Sequence, residues 1–308
     1  MIIPTPATTN SKIEGLFFKA LRKSARGFFH SFHLRPSSAP YITGDSFRKL
    51  ANYIYDETRV FNPENVQEGD IVFVGSPKMT EFFATIHPRI QHKYILIQHN
   101  GDFMVDEKIA SYIDDKIIRF YAQIVIAKKH EKIIPIPIGI ENKHHGNEVF
   151  TFFLRLAARK THKKPRIFFH FSVQTNPSER GPALEYFKTH PAMDTINTFV
   201  PYLAYKKILA SYAFTVSPAG GTLGSHRTWE ALYLRTIPIV KRTVDAEACV
   251  ALGLPIWILD DWHELDAYGE AELQAKYDTM MKTANFEAIS MDYWTSRINT
   301  EQRNFRKK

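Results

Sequence analysis

Residues 217–230 read SPAGGTLGSHRTWE, and ALYLRTIPIVK follows directly. Gly220, Gly221 and Gly224 let the backbone approach a ligand closely, and Ser225 is suited to cap a helix beginning near His226. A helix start presents unpaired N–H groups and the positive end of its dipole, which together favour an anion. Arg227 adds a permanent charge whose forked donors match a phosphate, and His226 can donate a further hydrogen bond. Glu230 lies four residues beyond His226 and three beyond Arg227, on the same helical face, where its carboxylate can accept from a ribose diol. Trp229, Leu232 and Tyr233 fall on other faces and are expected to pack the core. Together these residues describe a nucleoside-diphosphate site.

Competing phosphate motifs fail on spacing. A Walker loop sets its landmark glycines five positions apart and follows them with Lys, whereas Gly220 and Gly224 are four apart and Ser225-His226 follows; the dinucleotide pattern G-x-G-x-x-G is absent. A glycine-rich turn beside an Arg–Glu pair on a surface helix has the same residues, so context must decide between the two.

The elements that would position this stretch alternate short apolar runs with helical patterns, the signature of a parallel α/β sheet. Strands are expected at 70–75 (DIVFVG), 93–98 (KYILIQ), 122–127 (AQIVIA) and 133–138, and again at 166–171 (RIFFHF), 214–217 (FTVS), 237–241 (IPIVK) and 256–259 (IWIL). Helices are expected at 201–211 and 227–234. The restart implies two Rossmann-like halves: an N-terminal one at 1–142, a second at 143–285, and a C-terminal helix at 286–308 packing back on the first half. In such folds ligands bind beyond the carboxyl ends of strands, and SPAGG follows the strand FTVS.

The chain has 308 residues, 44% of them hydrophobic and 13% aromatic, enough to fill two cores. Its formal charge of +8 favours anionic partners without naming one. The only cysteine, Cys249, excludes an internal disulfide and suits a reducing, cytoplasmic compartment. No apolar run approaches the roughly 18 residues needed to span a bilayer. Residues 12–32 mix Leu16, Phe17, Leu21 and Phe28 with Lys19, Arg22, Lys23 and Arg26; this reads as a helix packed on the domain with solvated charges, or as a peripheral membrane contact. Nucleic-acid binding would fit the charge, but the basic clusters at 155–166 and at the C-terminus lack interleaved aromatics or a reading motif.

SPAGGTLGSHRTWEALYLRTIPIVKR, followed by LPIWILDDWHEL, resembles the nucleotide-sugar-binding half of exostosin-like glycosyltransferases, and the resemblance extends more weakly through PYITGDSFRKLANYIYDE, HNGD, PIPIGIEN and SVQTNPSER. It departs from the family pattern at Gly224, where an acidic residue is expected, and at Arg235, where glycine is common because a positive φ is favoured there. The resemblance implies a GT-B type fold, two facing Rossmann-like domains with an interdomain cleft, and a nucleoside diphosphate sugar as co-substrate, UDP before GDP. Carried over by motif, Arg227 holds phosphate, Glu230 the ribose, and Ser217, Pro218, Gly220 and Gly221 supply backbone contacts, with His226 assisting. Asn176 and Arg180 face the diphosphate from another loop, where Arg180 could equally be a solvated charge.

The implied reaction is an inverting transfer to a hydroxyl of a glycan or lipid-linked saccharide, needing one base and one cationic site for the leaving group. Asp102, in the loop HNGDF after KYILIQ, is the expected base, with His99 orienting it or touching the acceptor; the alternative makes Asp102 a turn residue. Asp45 could line the site or cap a helix starting at Ser46. No cofactor and no metal site are expected: no Asp-x-Asp pair flanks a suitable strand, and His144 and His145 should point apart. Asp260 and Asp261 are expected in a structural or capping role. A nucleotide-sugar-binding module without turnover is the rival to an enzyme.

Overall fold

The computed structural model describes residues 9–128, 130–146, 154, 162–198, 200–221 and 224–307. They fall into two compact units, one of Arg35–Asn142 with Glu287–Lys308, the other of Met1–Leu34 with Lys143–Phe286.

In the first unit five parallel strands lie in sequence order, β1 (Tyr53–Tyr55), β2 (Asp70–Gly75), β3 (Tyr94–His99), β4 (Ile117–Ala122) and β5 (Ile133–Pro135). All residues of β2 and β3 are buried, which is why they read as continuous apolar runs and not as alternating ones. The strand expected at 122–127 is displaced: β4 ends at Ala122, and the chain then turns through Ile124 at φ 57°. Ile124, Val125 and Ala127 are buried in this loop while Ile126 is exposed, a case that composition cannot separate from a strand.

The helix Met291–Arg306 belongs to this unit. Its buried Met291, Trp294 and Ile298 repeat at helical spacing, and Trp294 meets Phe47 edge-on with ring centroids 6.0 Å apart. Glu301 accepts from Tyr121 Oη at 2.5 Å and pairs with Arg119 Nε at 2.6 Å.

The second unit holds β6 (Lys164–Phe168), β7 (Met193–Asp194), β8 (Tyr212–Val216), β9 (Ile237–Lys241) and β10 (Trp257–Leu259), all parallel, in the order β10-β9-β8-β6-β7. The chain leaves β6 to one side for β7 and returns on the other as β8, so the loops after β6 and β8 diverge at a topological switch point. The short edge strands β1 and β7 carry too few residues to announce themselves in sequence.

Residues 1–34 group with this second unit and not with the N-terminal half expected from chain order. Gly146, at φ 90°, admits the helix Thr9–Ser31: a Cβ there would lie 2.4 Å from Arg22 O. Among its described residues, several apolar side chains of that helix do not pack as a buried amphipathic face would. Leu16 (67%), Phe17 (62%), Phe28 (55%) and Phe32 (64%) stand outward, while Gly15, Lys19 and Arg22 line a cavity. Among the described residues no helix is long and apolar enough to cross a membrane.

Lys163 joins the two helices that matter most to the site. Its Nζ donates to Ala210 O (2.6 Å) at the end of the helix Tyr202–Ala210, to Leu234 O (2.8 Å) at the end of the helix His226–Tyr233, and to Thr236 Oγ1 (3.0 Å). An amine donor there answers two helix C-termini at once. Burial, and then the charge of Arg235, pull its ammonium down to about 7. The unfolded chain therefore binds more protons than the folded one between that value and lysine's ordinary 10.5, and stability from this group rises with pH across the window. Lys163→Met should lower stability by about 1–3 kcal/mol through the orphaned carbonyls and abolish that rise. Urea unfolding at stepped pH measures both; a variant as stable as wild type with the same pH slope refutes the clamp.

Candidate functional site

The glycine loop begins where β8 ends. Ser217 donates its N–H to Ile239 O at 2.8 Å, and its hydroxyl pairs with Thr228 Oγ1 at 2.8 Å, tying the loop to the sheet and to the following helix. The next carbonyls face the segment after β6. Arg180, only 5% exposed, donates Nε to Ala219 O (2.8 Å), Nη2 to Pro218 O (3.1 Å) and Nη1 to Ser172 O (2.9 Å). Asn176 donates Nδ2 to Gly220 O at 3.0 Å. The two loops of the switch point are thus stitched together by side chains.

This changes the expected part of Arg180 and Asn176. Instead of lying open to a diphosphate or to solvent, both spend donors on loop carbonyls, because a buried guanidinium must satisfy its N–H groups and those carbonyls have no strand partner. Arg180 also lies 5.7 Å over the Phe171 ring.

Ser225 caps the helix His226–Tyr233, accepting from Arg227 N at 3.3 Å. At the other end Arg235 sits at φ 58°, the left-handed position at which a glycine was expected, and its guanidinium lies 3.5 Å over Phe286. Trp229 and Leu232 are buried as expected, and Tyr233 is half-buried.

Arg227 and Glu230 face a cavity of about 650 Å³, together with Lys19, Arg22, His170, Tyr202, Tyr205 and Lys206. That size suits a nucleotide-scale ligand. Arg227 donates Nη1 to Tyr205 Oη, and its Nε is buried with no hydrogen-bond partner among the described residues. Lys206, whose side chain is fully buried, forms an ion pair with Glu230 and lies 4.8 Å over the Tyr202 ring and 5.0 Å over the Tyr205 ring. Tyr202 Oη donates to Glu230 Oε1 at 3.2 Å.

The charges act on one another. Burial pushes the Glu230 carboxyl up, but Lys206, Arg227 and His226 together hold it below its usual value, so it is ionised at neutral pH. Burial lowers Lys206, with Glu230 opposing and Arg227 adding to the fall. His170 is held down by burial and then by Arg227, and stays neutral at pH 7.

Of the expected donor residues, Arg227 and Glu230 line the cavity; Ser217, Pro218, Gly220, Gly221, Asn176, Arg180 and His226 are not among its lining residues. The loop stands close enough that Arg227's charge bears on Arg180, and His226 is near enough to bear on Glu230. Thr222 and Leu223 lie outside the described residues. The sequence reading passed over Tyr202, Tyr205 and Lys206, although their spacing of three and four puts them on one helical face. It also passed over His170, hidden inside an apolar strand pattern.

In the first unit Asp102 is exposed. His99 is 3% exposed and stacked on Phe47, its Nδ1 accepting from Asn100 N at 2.7 Å and its Nε2 donating to Pro137 O at 3.1 Å. Both ring nitrogens are therefore engaged by backbone, which fixes the ring in the core and leaves neither to orient Asp102. Asp45 does not cap: Thr43 does, accepting from Ser46 N at 3.1 Å, while Asp45 is fully buried, paired with Arg35 at 2.9 Å and accepting from Asn100 Nδ2 at 3.1 Å.

Asp261 caps the turn Trp262–Ala267 in a reciprocal box with Glu264, and Asp260 pairs with Arg242 at 2.7 Å. His144 and His145, expected to point apart, bring their ring centroids within 4.0 Å in a 3-10 turn. Among the described residues no group of three His, Cys, Asp or Glu is placed to hold a metal ion.

No family model matches the chain, and no curated protein does. Among solved structures it is similar to a trehalose-6-phosphate synthase studied with bisubstrate glycomimetics for glycosyl transfer with retention (9% identity, TM-score 0.45, 78% of this chain and 74% of that one). It is also similar to an α,α-trehalose 6-phosphate synthase from Burkholderia multivorans (8%, TM-score 0.40, 79% and 72%) and to TarM (14%, TM-score 0.40, 76% and 54%). Likeness at this level assigns no role to any residue.

Arg180→Lys keeps the charge but loses the planar fork that spans three carbonyls. It should lower stability by about 1–3 kcal/mol, read from urea midpoints; an unshifted midpoint would return Arg180 to the role of a ligand contact.

Proposed function

We propose that the protein is a glycosyltransferase of the GT-B type that takes a nucleoside diphosphate sugar as donor and a hydroxyl of a glycan or lipid-linked saccharide as acceptor. The observation that carries the reading is Arg227, a guanidinium whose buried Nε has no hydrogen-bond partner among the described residues, in a cavity also lined by Lys19, Arg22, Lys206 and the carboxylate Glu230. A buried guanidinium donor left unmet asks for an anionic ligand. A diphosphate supplies it, and the ionised Glu230 beside Tyr202 offers an acceptor for ribose hydroxyls. UDP is the nucleotide inferred from the exostosin resemblance, with GDP second.

Stabilising the departing diphosphate is the electrostatic part of the chemistry, and Arg227 is fixed for it by Tyr205 before the substrate arrives. The acceptor hydroxyl needs a base, and Asp102 is the residue we assign. The reaction is then an inverting one. A donor-binding module without turnover is the second reading, favoured by the exposure of Asp102 to solvent.

Titration calorimetry with UDP and GDP tests the donor site. Arg227→Ala should weaken binding roughly ten- to a hundredfold, the equivalent of about 1.5–3 kcal/mol, with the fold intact. Equal affinity in the variant removes Arg227 from the site, and no binding by the wild-type chain removes the reading.

Asp102→Asn keeps the shape and removes the basic lone pair, so turnover should fall by roughly 10²–10⁴ with donor affinity unchanged. Product anomers read by NMR supply the second arm. Wild-type turnover in the variant, or a product with the donor's own configuration, discards Asp102 as base; donor binding with no transfer to any acceptor leaves the module.

A further inference from the structure

The helix Tyr202–Ala210 carries one lysine into the interior of its unit. The side chain of Lys206 is 0% exposed, whereas that of Glu230, with which it pairs, is 21% exposed. The lysine therefore stands behind the carboxylate. Its Nζ meets Glu230 Oε2, and the ring centroids of Tyr202 and Tyr205, from the same helix, lie 4.8 and 5.0 Å from it. An ammonium boxed in by two aromatic faces and one carboxylate oxygen has no route to a ligand, but it governs how the carboxylate meets one.

Glu230 Oε1 accepts from Tyr202 Oη at 3.2 Å, and Oε2 is taken by Lys206. A carboxylate offers about four lone-pair sites, two on each oxygen. Among the described residues each oxygen thus keeps one, on a side chain that lines the cavity of about 650 Å³. The two adjacent hydroxyls of a ribose can donate into such a pair. A 2′-deoxyribose can donate only once.

We infer that Lys206 is a positioning residue for the nucleoside end of the donor: inaccessible itself, it fixes the Glu230 carboxylate so that one lone pair on each oxygen stays open to a ribose diol, and the site thereby selects a ribonucleotide over a deoxyribonucleotide. The inference rests on the nucleotide-site reading above and deepens it. It also predicts a pH signature. Burial pushes the Glu230 carboxyl up, and Lys206 is the first of the groups that hold it down, ahead of Arg227 and His226. Without the lysine the upward push meets less opposition, so the carboxyl takes up its proton at higher pH. Protonation turns one acceptor oxygen into a donor, and the diol loses part of its partner.

The test titrates UDP and 2′-deoxy-UDP into the full chain from about pH 8 to about pH 5.5, around and below the histidine range, and reads the ratio of the two affinities. Tyr202, Tyr205, His170, Lys19, Arg22, Arg227 and His226 also face or bear on this space; both probes meet them alike, so the ratio cancels their titration and that of the terminal phosphate. Wild type should favour UDP by about tenfold at every pH, the worth of a hydrogen bond to a charged group. Lys206→Met, an unbranched apolar chain in the same space, should lower the ratio to about threefold at the upper pH and to near one at the lower. Glu230→Gln should leave a ratio near one throughout, and Lys206→Met/Glu230→Gln should match it. Circular dichroism confirms that each variant is folded.

A folded Lys206→Met chain that keeps the wild-type ratio at every pH overturns the inference. So does an equal loss for both probes, which makes Lys206 a structural residue only. Equal affinity of the wild-type chain for UDP and 2′-deoxy-UDP, alongside weakened UDP binding in Arg227→Ala, overturns the inference and leaves the diphosphate site standing; absence of UDP binding in the wild-type chain overturns both. Should Lys206→Met fail to fold because Glu230 is left without its counter-ion, the double variant, which removes both charges, is compared with Glu230→Gln. UDP affinities within about twofold of each other support a lysine that acts through Glu230, and a further loss in the double variant overturns it.

Discussion

Arg227 carries a charge that it cannot shed, since a guanidinium stays protonated at any pH the protein meets. Its neighbours are tuned to that fact. Its field opposes protonation of His170, lowers Arg180 and Lys206, and helps to hold Glu230 ionised. Tyr205 takes one of its N–H groups, while the buried Nε has no partner among the described residues. A buried donor left unmet costs the folded state. Such a cost is tolerated where a ligand relieves it, and the ligand proposed for this site is an anion.

The rest of the second unit serves this placement. The crossing of the chain from β7 back to β8 separates the loops after β6 and β8, and Arg180 and Asn176 then draw them together through the carbonyls of Ser172, Pro218, Ala219 and Gly220. Lys163 fixes the C-terminal ends of the two helices whose other residues supply Tyr202, Tyr205, Lys206, Arg227 and Glu230. Among the described residues, the side chains of Tyr202, Tyr205, Lys206, Arg227 and Glu230 are in addition held by one another. That is the preorganisation an electrostatic site requires, because donors that must reorient on binding lose part of what they contribute.

The first unit is organised around different needs. His99 is locked by Asn100 N and Pro137 O, and Asp45 is buried against Arg35, Asn100 and Asn142, with Arg35 also paired to Glu57. Of these groups His99 and Asp45 are buried and held by their neighbours. Asp102, one residue past Gly101, is the polar group of that loop that faces water. A carboxylate in that position keeps access to a hydroxyl brought to it, whereas a satisfied buried one does not.

Local chemistry was legible in the chain itself. The SPAGG loop, the Ser225 cap, the Arg227–Glu230 face and the positive φ at residue 235 all follow from short-range sterics and helix periodicity, which act within a few residues. The all-buried strands β2 and β3, and β9, buried except at Lys241, were legible for the same reason. What the sequence could not contain was partnership across distance. Lys206 meeting Glu230, Arg180 turning inward to loop carbonyls, the apolar loop at 124–127 passing for a strand, and a basic helix from the start of the chain joining the wall of a cavity built mainly from residues 170–230 all depend on which side chains the fold brings within a few ångströms. A donor buried by tertiary packing takes whichever acceptor that packing leaves beside it, and residues far apart in sequence have no local pattern by which to announce that they will meet.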